Sequence, residues 1–385
     1  MTKIRMVDST CYDSWHLHFN SQLIEILSNI SSVVKYRGAQ NIGSNRLNVR
    51  QKKLYVITGS GRFHIIWRFL FTLMNDIWQL IISGNNEIIV YSFDATVSLR
   101  LINMLNKILK KRIIMFRHGS MEMLQTNPSG KGIFYKFESN LTKQFFLNKN
   151  LKISDNLYFF VLGDKILENL SIILSKDKMK HFYSVDHPYN FDSTTSIKLT
   201  EKTNKLHIGT VGVFNEYKGG KDLLQLAQIL KVKGLDTIKL SVSGRIEFNI
   251  SLLQEAGIDL PSNEGKSMLS VQELKDRIDQ LDFILYFYPS DTYKLTASGA
   301  IFDAINRNRP IIAIRNDYFE YIFNKFGSIG YLVDSVDEMA DVIYRLYTSS
   351  EKHIDYDFER IQNLLSTVNL TKIFESQLQE IGFTK

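Results

Sequence analysis

The sequence predicts an α/β protein of two domains, each a parallel, doubly wound sheet covered by helices. Three observations carry this reading. At 385 residues, 44% hydrophobic and 23% charged, the chain has the composition of a folded protein and is too long for one ordinary core. Apolar runs of strand length alternate with stretches of helical periodicity from Lys3 to Thr348. A polar stretch poor in branched aliphatics, Asn190 to Asn204, interrupts the alternation once and reads as a linker. The expected boundaries are 1–190 for the first domain, 191–204 for the linker and 205–350 for the second domain. Residues 351–385 form a helical segment that returns to the first domain.

Taken in order, Lys3–Val7 is a strand and Asp8–His18 a polar loop with His16 and His18 at its exit. Phe19, Leu23, Ile26, Leu27 and Ile30 share one helical face. Lys53–Thr58 is expected as the next strand, followed by Gly59-Ser-Gly61, which is not a dinucleotide fingerprint. Phe63–Ile82 is the most apolar window. Arg68, Asn75 and Asp76 break it, so it reads as a buried or half-buried helix, with an interfacial membrane helix as the alternative. Glu87–Ser92 is a strand, Thr96–Lys110 a helix and Arg112–Phe116 a strand running directly into Arg117-His-Gly-Ser-Met-Glu122. His118 thus stands where ligands bind in such sheets. Asn127–Gly132 is a loop, Phe134–Phe146 a helix, Leu157–Leu162 a strand, Asp164–Ser175 a helix, Ser175–Lys180 a charged turn and Phe182–Val185 a strand.

The second domain restarts with the strand Leu206–Phe214 and the turn Asn215–Lys221, which carries Lys218 and two glycines. The helix Asp222–Lys231, the strand Thr237–Ser243 and the turn Gly244-Arg245 follow. Met268–Val271 is expected as a short strand with Ser270 capping the helix Gln272–Leu281. Next comes Leu281–Tyr288, a strand ending in Pro289-Ser-Asp291. Thr296-Ala-Ser-Gly299 is expected to open a helix to Asn306, its amides and dipole suited to a phosphate. Asp303 lies one and a half turns in, within reach of a ribose hydroxyl. Arg309-Pro310 stops this helix before the strand Ile311–Ile314. Helices near 318–326 and 336–348, the strand Gly330–Val333 and a helical tail complete the chain.

Cys11 is the only cysteine, which excludes an intrachain disulfide or a cysteine-based zinc site and fits a reducing compartment. The N-terminus shows no signal-peptide pattern. His16 and His18 lack a third ligand at a usual spacing, so no metal site is expected. The net charge of +7 is uneven: 25 Lys+Arg against 13 Asp+Glu up to Asn190, then 22 against 27. A basic first half implies an anionic partner such as nucleic acid, an anionic membrane surface or a phosphorylated lipid. The charge is scattered and no nucleic-acid module is present, which argues against nucleic acid.

Lys218 in a glycine turn, Arg245 after another strand and the Thr296–Gly299 segment stand on successive strand ends, an order suited to a diphosphate. Here the second half resembles the nucleotide-sugar domain of two-domain GT-B glycosyltransferases, especially glycosyltransferase family 4. The resemblance rests on Gly209-Thr-Val-Gly212, Lys218-Gly219, Ser243-Gly244, Pro289-Ser290, Asp303-Ala304 and Arg309-Pro310-Ile-Ile-Ala313, in that order. It implies two Rossmann-like parallel-sheet domains facing across a cleft. It also implies donor contacts from Lys218, Gly219, Arg245, Leu269, Thr296, Ala297, Ser298, Gly299 and Asp303, with His118 and Lys218 as the catalytic pair. His16, His18 and Glu122 are the expected acceptor contacts. The chain departs from the family at Leu295, where the first acid is expected, at Val213, where an arginine is frequent, and at Asp303, which replaces a glutamate.

The resemblance implies a retaining transferase in surface-polysaccharide biosynthesis, of capsule or O-antigen type. It would need neither metal nor cofactor, the nucleotide sugar being a substrate, and would act on a lipid-linked oligosaccharide at the cytoplasmic face of the membrane. Positive charge at Lys218 would stabilise the departing nucleoside diphosphate. An inverting enzyme would instead draw its base from Asp13, His16 or Glu122. A non-catalytic nucleotide-sugar-binding partner subunit and a sugar-nucleotide epimerase are the alternatives.

Overall fold

The computed structural model describes residues 2–13, 15–43, 46–59, 61–127, 129, 131–191, 206–348, 356 and 358–384. The chain divides into two compact units. One comprises Met1–Asn190, Lys294–Ala297 and Leu365–Lys385; the other comprises Phe191–Tyr293 and Ser298–Leu364.

The N-terminal unit is built on seven strands, β1 (Lys3–Asp8), β2 (Val33–Gly38), β3 (Val49–Lys53), β4 (Glu87–Tyr91), β5 (Arg112–Arg117), β6 (Leu157–Val161) and β7 (Phe182–Ser184). They pair in parallel in the order β3-β2-β1-β4-β5-β6-β7. Every residue of β4 is buried, as a strand covered on both faces requires. The crossovers carry α1 (Leu17–Ile30), α2 (Arg62–Ile82), α3 (Leu99–Leu109), α4 (Ile133–Phe146), α5 (Asp164–Ile173) and the single turn α6 (Lys176–Met179).

The C-terminal unit contains β8 (His207–Val211), β9 (Phe214–Asn215), β10 (Lys239–Ser243), β11 (Ile246–Glu247), β12 (Phe283–Tyr286), β13 (Ile311–Ile314) and β14 (Gly330–Val333). Five of these form a parallel sheet in the order β10-β8-β12-β13-β14, and β9 pairs with β11. Its helices are α7 (Gly220–Val232), α8 (Ile250–Glu255), α9 (Val271–Asp279), α10 (Ala300–Asn306), α11 (Asp317–Phe326), α12 (Val336–Thr348) and α13 (Phe358–Leu364). The last helix, α14 (Thr367–Glu380), returns to the N-terminal unit. Leu370, Phe374 and Leu378 enter the core beside α1, each burial stabilising by ~1.5–3 kcal/mol. Gln22 Nε2 donates to Thr367 Oγ1 at 2.6 Å.

The structure corrects several expectations. Of the strand expected over Lys53–Thr58, only Lys53 is in a strand, as the last residue of β3. The sheet edge is β3, a polar run, and Leu54 makes one further backbone bond, to Gly38, before the chain leaves the sheet. Beyond it, carbonyls are satisfied by side chains of α2 rather than by a neighbouring strand: Asn75 donates to Tyr55 and Arg68 to Ile57 and Gly59. Met268–Ser270 is coil rather than strand, although Ser270 does cap α9, accepting from the Glu273 amide. The helix expected at Thr296 begins at Ala300. The charged turn at Ser175–Lys180 contains α6. Of the expected linker 191–204, residues 192–204 lie outside the described residues, as do 205, 349–355 and 357.

The largest departure is α2. Its inward face is mostly polar, with Thr72, Asp76, Gln79 and Leu80 buried, whereas its aromatic and aliphatic side chains are exposed. Asp76 accepts from the hydroxyls of Ser9 and Ser98, and Gln79 accepts from Arg5 at 2.8 Å. These bonds compensate the buried polar groups and hold the polar face against the sheet.

Candidate functional site

In an open parallel sheet, ligands bind beyond the strand C-termini where the strand order reverses. The two units have one such point each, between β1 and β4 and between β8 and β12.

In the N-terminal unit, the loop after β1 is held by Asp8, which accepts from the amides of Thr10 and Cys11 and from Asn20 Nδ2. It delivers His16 as the N-cap of α1 with a left-handed backbone, φ 59°. The loop after β5 is held by Asp94. This carboxylate accepts from the amides of His118, Gly119 and Ser120 at 3.0–3.3 Å and from Ser120 Oγ at 2.6 Å. The turn therefore presents His118 in a fixed orientation. The His118 ring lies 4.7 Å from His16, 4.4 Å from Phe19, 5.2 Å from Phe93 and 6.4 Å from His187, centroid to centroid.

His118 Nε2 lies 2.8 Å from the Ser92 carbonyl. A carbonyl only accepts, so the bond assigns the proton to Nε2 and leaves Nδ1 as the acceptor. Burial, with His16 and His187 alongside, holds this imidazole well below its ordinary 6.5. Burial also lowers His16 and brings His187 to about 3. The cluster is therefore neutral near pH 7 and offers hydrogen bonds rather than positive charge. His18 stands apart, stacked on Tyr189 at 5.3 Å.

Segment Lys294–Ala297 belongs to the N-terminal unit. Leu295 is fully buried within its apolar core, and its amide donates to Glu122 Oε2 at 2.8 Å. Thr296 Oγ1 donates to the His118 carbonyl at 2.8 Å, and Ala297 packs against the core. Leu295, standing where an acid is expected, is thus an anchor: a carboxylate there would be desolvated beside that of Glu122.

In the C-terminal unit the chain leaves β8 through Gly212, φ 90°. A Cβ at Gly244, after β10, would stand 1.8 Å from the Gly212 carbonyl oxygen, so only glycine permits this approach. The Asn215 side chain caps the next turn by accepting from the Lys218 amide. Gly219 follows at φ 92°, and a Cβ on it would overlap Phe287. Lys218 Nζ lies 5.6 Å from the Tyr288 ring. Tyr288 stacks on Tyr293 at 4.3 Å and lies within 3.4 Å of Ser298 Oγ through its hydroxyl. Lys218 and Ser298 thereby meet at Tyr288, Gly219 lies against the adjacent Phe287, and Tyr286 donates its hydroxyl to the Ala300 carbonyl at the start of α10, with Gly299 as the N-cap. Asp303 lies in the first turn of α10. Arg245 is ion-paired with Glu247. Leu269 lies in the coil before α9, half-buried.

The sequence alone did not point to Phe93, Asp94, His187, Phe287 or Tyr288 as residues of the site. Asp94 had a signal: a carboxylate two residues beyond a strand, beside small residues, suits a loop clamp. The aromatics had none, since their packing depends on strand order. Among the described residues no group of three or more His, Cys, Asp or Glu is placed to hold a metal ion.

No protein-family model matches the sequence, and no curated protein matches it. Solved structures do. WaaG, a glycosyltransferase involved in lipopolysaccharide biosynthesis, superposes with a TM-score of 0.60 at 11% identity, over 98% of this chain and 99% of that one. A trehalose-6-phosphate synthase complex gives 0.59 at 10% identity with the same coverage. The lipopolysaccharide outer core galactosyltransferase WaaB gives 0.55 at 14%, again over 98% and 99%. At these identities the likeness is one of fold: two Rossmann-like domains of the GT-B architecture.

Proposed function

We propose that the protein transfers a sugar from a nucleotide-sugar donor to a lipid-linked glycan acceptor in surface-polysaccharide synthesis. The observation that carries this reading is Lys218. It stands on a glycine turn at the switch point of the five-stranded sheet and makes no ion pair among the described residues, whereas nearby Lys221 and Arg245 are each paired with a glutamate. An ammonium so placed suits the diphosphate that gathers charge as the sugar carbon becomes oxocarbenium-like. The fold neighbours support the class, since their names describe glycosyltransferases.

His118, neutral and with Nδ1 accepting, would read a hydroxyl of the sugar or acceptor rather than supply charge. Asp303 would take a ribose hydroxyl, with Thr296–Gly299 lining the diphosphate. The leaving phosphate would accept the acceptor's proton, as in a retaining transfer without a metal. One observation favours a second reading. Leu295 occupies the acid's place as a core residue, which fits a partner subunit that binds a nucleotide sugar without turning it over.

A panel of nucleotide sugars tests the first reading, by thermal stabilisation and then by transfer to a crude lipid-linked acceptor. Stabilisation with transfer supports the transferase. Stabilisation without transfer, hydrolysis or epimerisation supports the binding subunit. Interconversion of sugar nucleotides without an acceptor would identify an epimerase.

A further inference from the structure

The exposed face of α2 is a continuous apolar strip. Phe63, Trp67, Leu70, Met74, Trp78 and Ile81 recur at three- and four-residue spacing and point away from the sheet, Phe63 at 68%, Met74 at 65% and Trp78 at 59% exposure. With Ile66 and Ile82 the strip holds eight exposed side chains. At ~200 Å² each and about half uncovered, they present on the order of 800 Å², above the few hundred that single folded chains usually expose. The helix is long and apolar enough by composition to cross a membrane. Its other face, however, is fastened into the unit by Thr72, Asp76 and Gln79, so it cannot leave the sheet to span a bilayer.

The strip extends sideways. Phe69 stacks on Phe137 of α4 at 5.9 Å and meets Phe134 at 6.0 Å, and Ile133 is 72% exposed beside them. On α3, which packs against α2, Met104 and Ile108 are exposed. The charge on these three helices is predominantly positive. Six cations, Arg62, Arg68, Arg100, Lys107, Lys136 and Lys143, stand against two acids in number, Asp76 and Glu138; Arg68 and Lys143 also donate to loop carbonyls. Asp76 is buried, and burial pushes Glu138 up to about 7.

We propose that the α2 face is a membrane-docking surface that lies in the plane of an anionic phospholipid leaflet, its apolar strip among the acyl chains and the cations of α2, α3 and α4 at the headgroups. An amphipathic helix with Trp, Phe and Leu on one side and basic residues at its flanks has the chemistry for this position. A second copy of the chain fits less well: a two-fold pairing of this face would bring its cations together with no exposed acid on α2 or α3 to meet them. The inference does not rest on the donor reading, because it uses only the N-terminal unit's surface.

The test is binding of the full chain to phosphatidylcholine vesicles with and without phosphatidylglycerol, followed by sedimentation and by quenching of tryptophan with brominated lipid. Trp67 and Trp78 are two of only three tryptophans, so insertion reports directly. The chain is expected to sediment with anionic vesicles and to be quenched. Leu70→Glu or Met74→Glu, both at exposed positions, should abolish quenching while leaving the unfolding midpoint unchanged. Lys107→Glu should weaken binding by at least about fivefold, a lost cation at the surface being worth a factor of that size. Failure to bind anionic vesicles, equal binding by Leu70→Glu, or a dimer in solution that Leu70→Glu dissociates would each overturn the proposal. Nucleotide-sugar stabilisation is measured without vesicles, so the two readings fail separately.

Discussion

Replacing Asp76 by Asn should change how stability depends on pH. The carboxyl is fully buried, and burial, opposed by the Ser9 and Ser98 hydroxyls, pushes it up to about 7 from an ordinary 3.8. Between those two values the folded chain holds a proton that the unfolded chain has released. Stability contributed by this group is therefore greatest below pH ~4, falls as pH rises through that window and is flat above about 7. A shift of about three units corresponds to about 4 kcal/mol between the two ends. Asn carries no such proton, and its amide can still donate to one hydroxyl oxygen and accept from the other. Urea unfolding from pH 4 to pH 8 should show Asp76→Asn gaining about 4 kcal/mol relative to the parent across the range, at constant slope in denaturant. Parallel pH profiles for the two proteins would refute the claim that Asp76 is held inward by α2, and with it the orientation of that helix.

Three further expectations concern the sites. Leu295→Ala should destabilise by about 2–5 kcal/mol in urea, as a side chain lost from a closed core; an effect within experimental error would show that the segment does not pack there. Gly244→Ala should cost at least about 1–3 kcal/mol, because its Cβ would meet the Gly212 carbonyl. Gly132→Ala, with open space around it and φ −63°, should be nearly neutral and serves as the control. His187 works in the opposite sense to Asp76. Burial places its imidazole at about 3, below an ordinary 6.5, so its contribution is complete above pH ~6.5 and is lost as pH falls towards 3; His187→Gln should flatten that acid limb.

The parallel architecture was legible because buried segments such as Ile88–Tyr91 and Ile311–Ile314 are unbroken apolar runs between helical periods. β3 was not, because an edge strand needs little apolar surface and reads Val-Arg-Gln-Lys-Lys, while the richer run after it leaves the sheet. The amphipathicity of α2 was visible, but periodicity tells which residues share a face and not which face turns inward. That choice was made by Asp76, whose partners Ser9 and Ser98 lie on other loops. The glycine turn at Lys218 could be read from its composition, and the Gly212–Gly244 approach could not, since it depends on two strand ends meeting. Leu295 was recognised as a departure from an acidic pattern; only packing shows it as an anchor.

In the proposed function, Lys218 would hold the diphosphate of a nucleotide sugar. Calorimetric titration of the intact chain and of Lys218→Ala with a panel of nucleoside diphosphate sugars tests it most directly. At least one is expected to bind saturably, and Lys218→Ala, with an unchanged unfolding midpoint, should weaken it by roughly tenfold or more, the loss of a charged hydrogen bond. No binding by any nucleotide sugar, or equal binding by the variant, would contradict it.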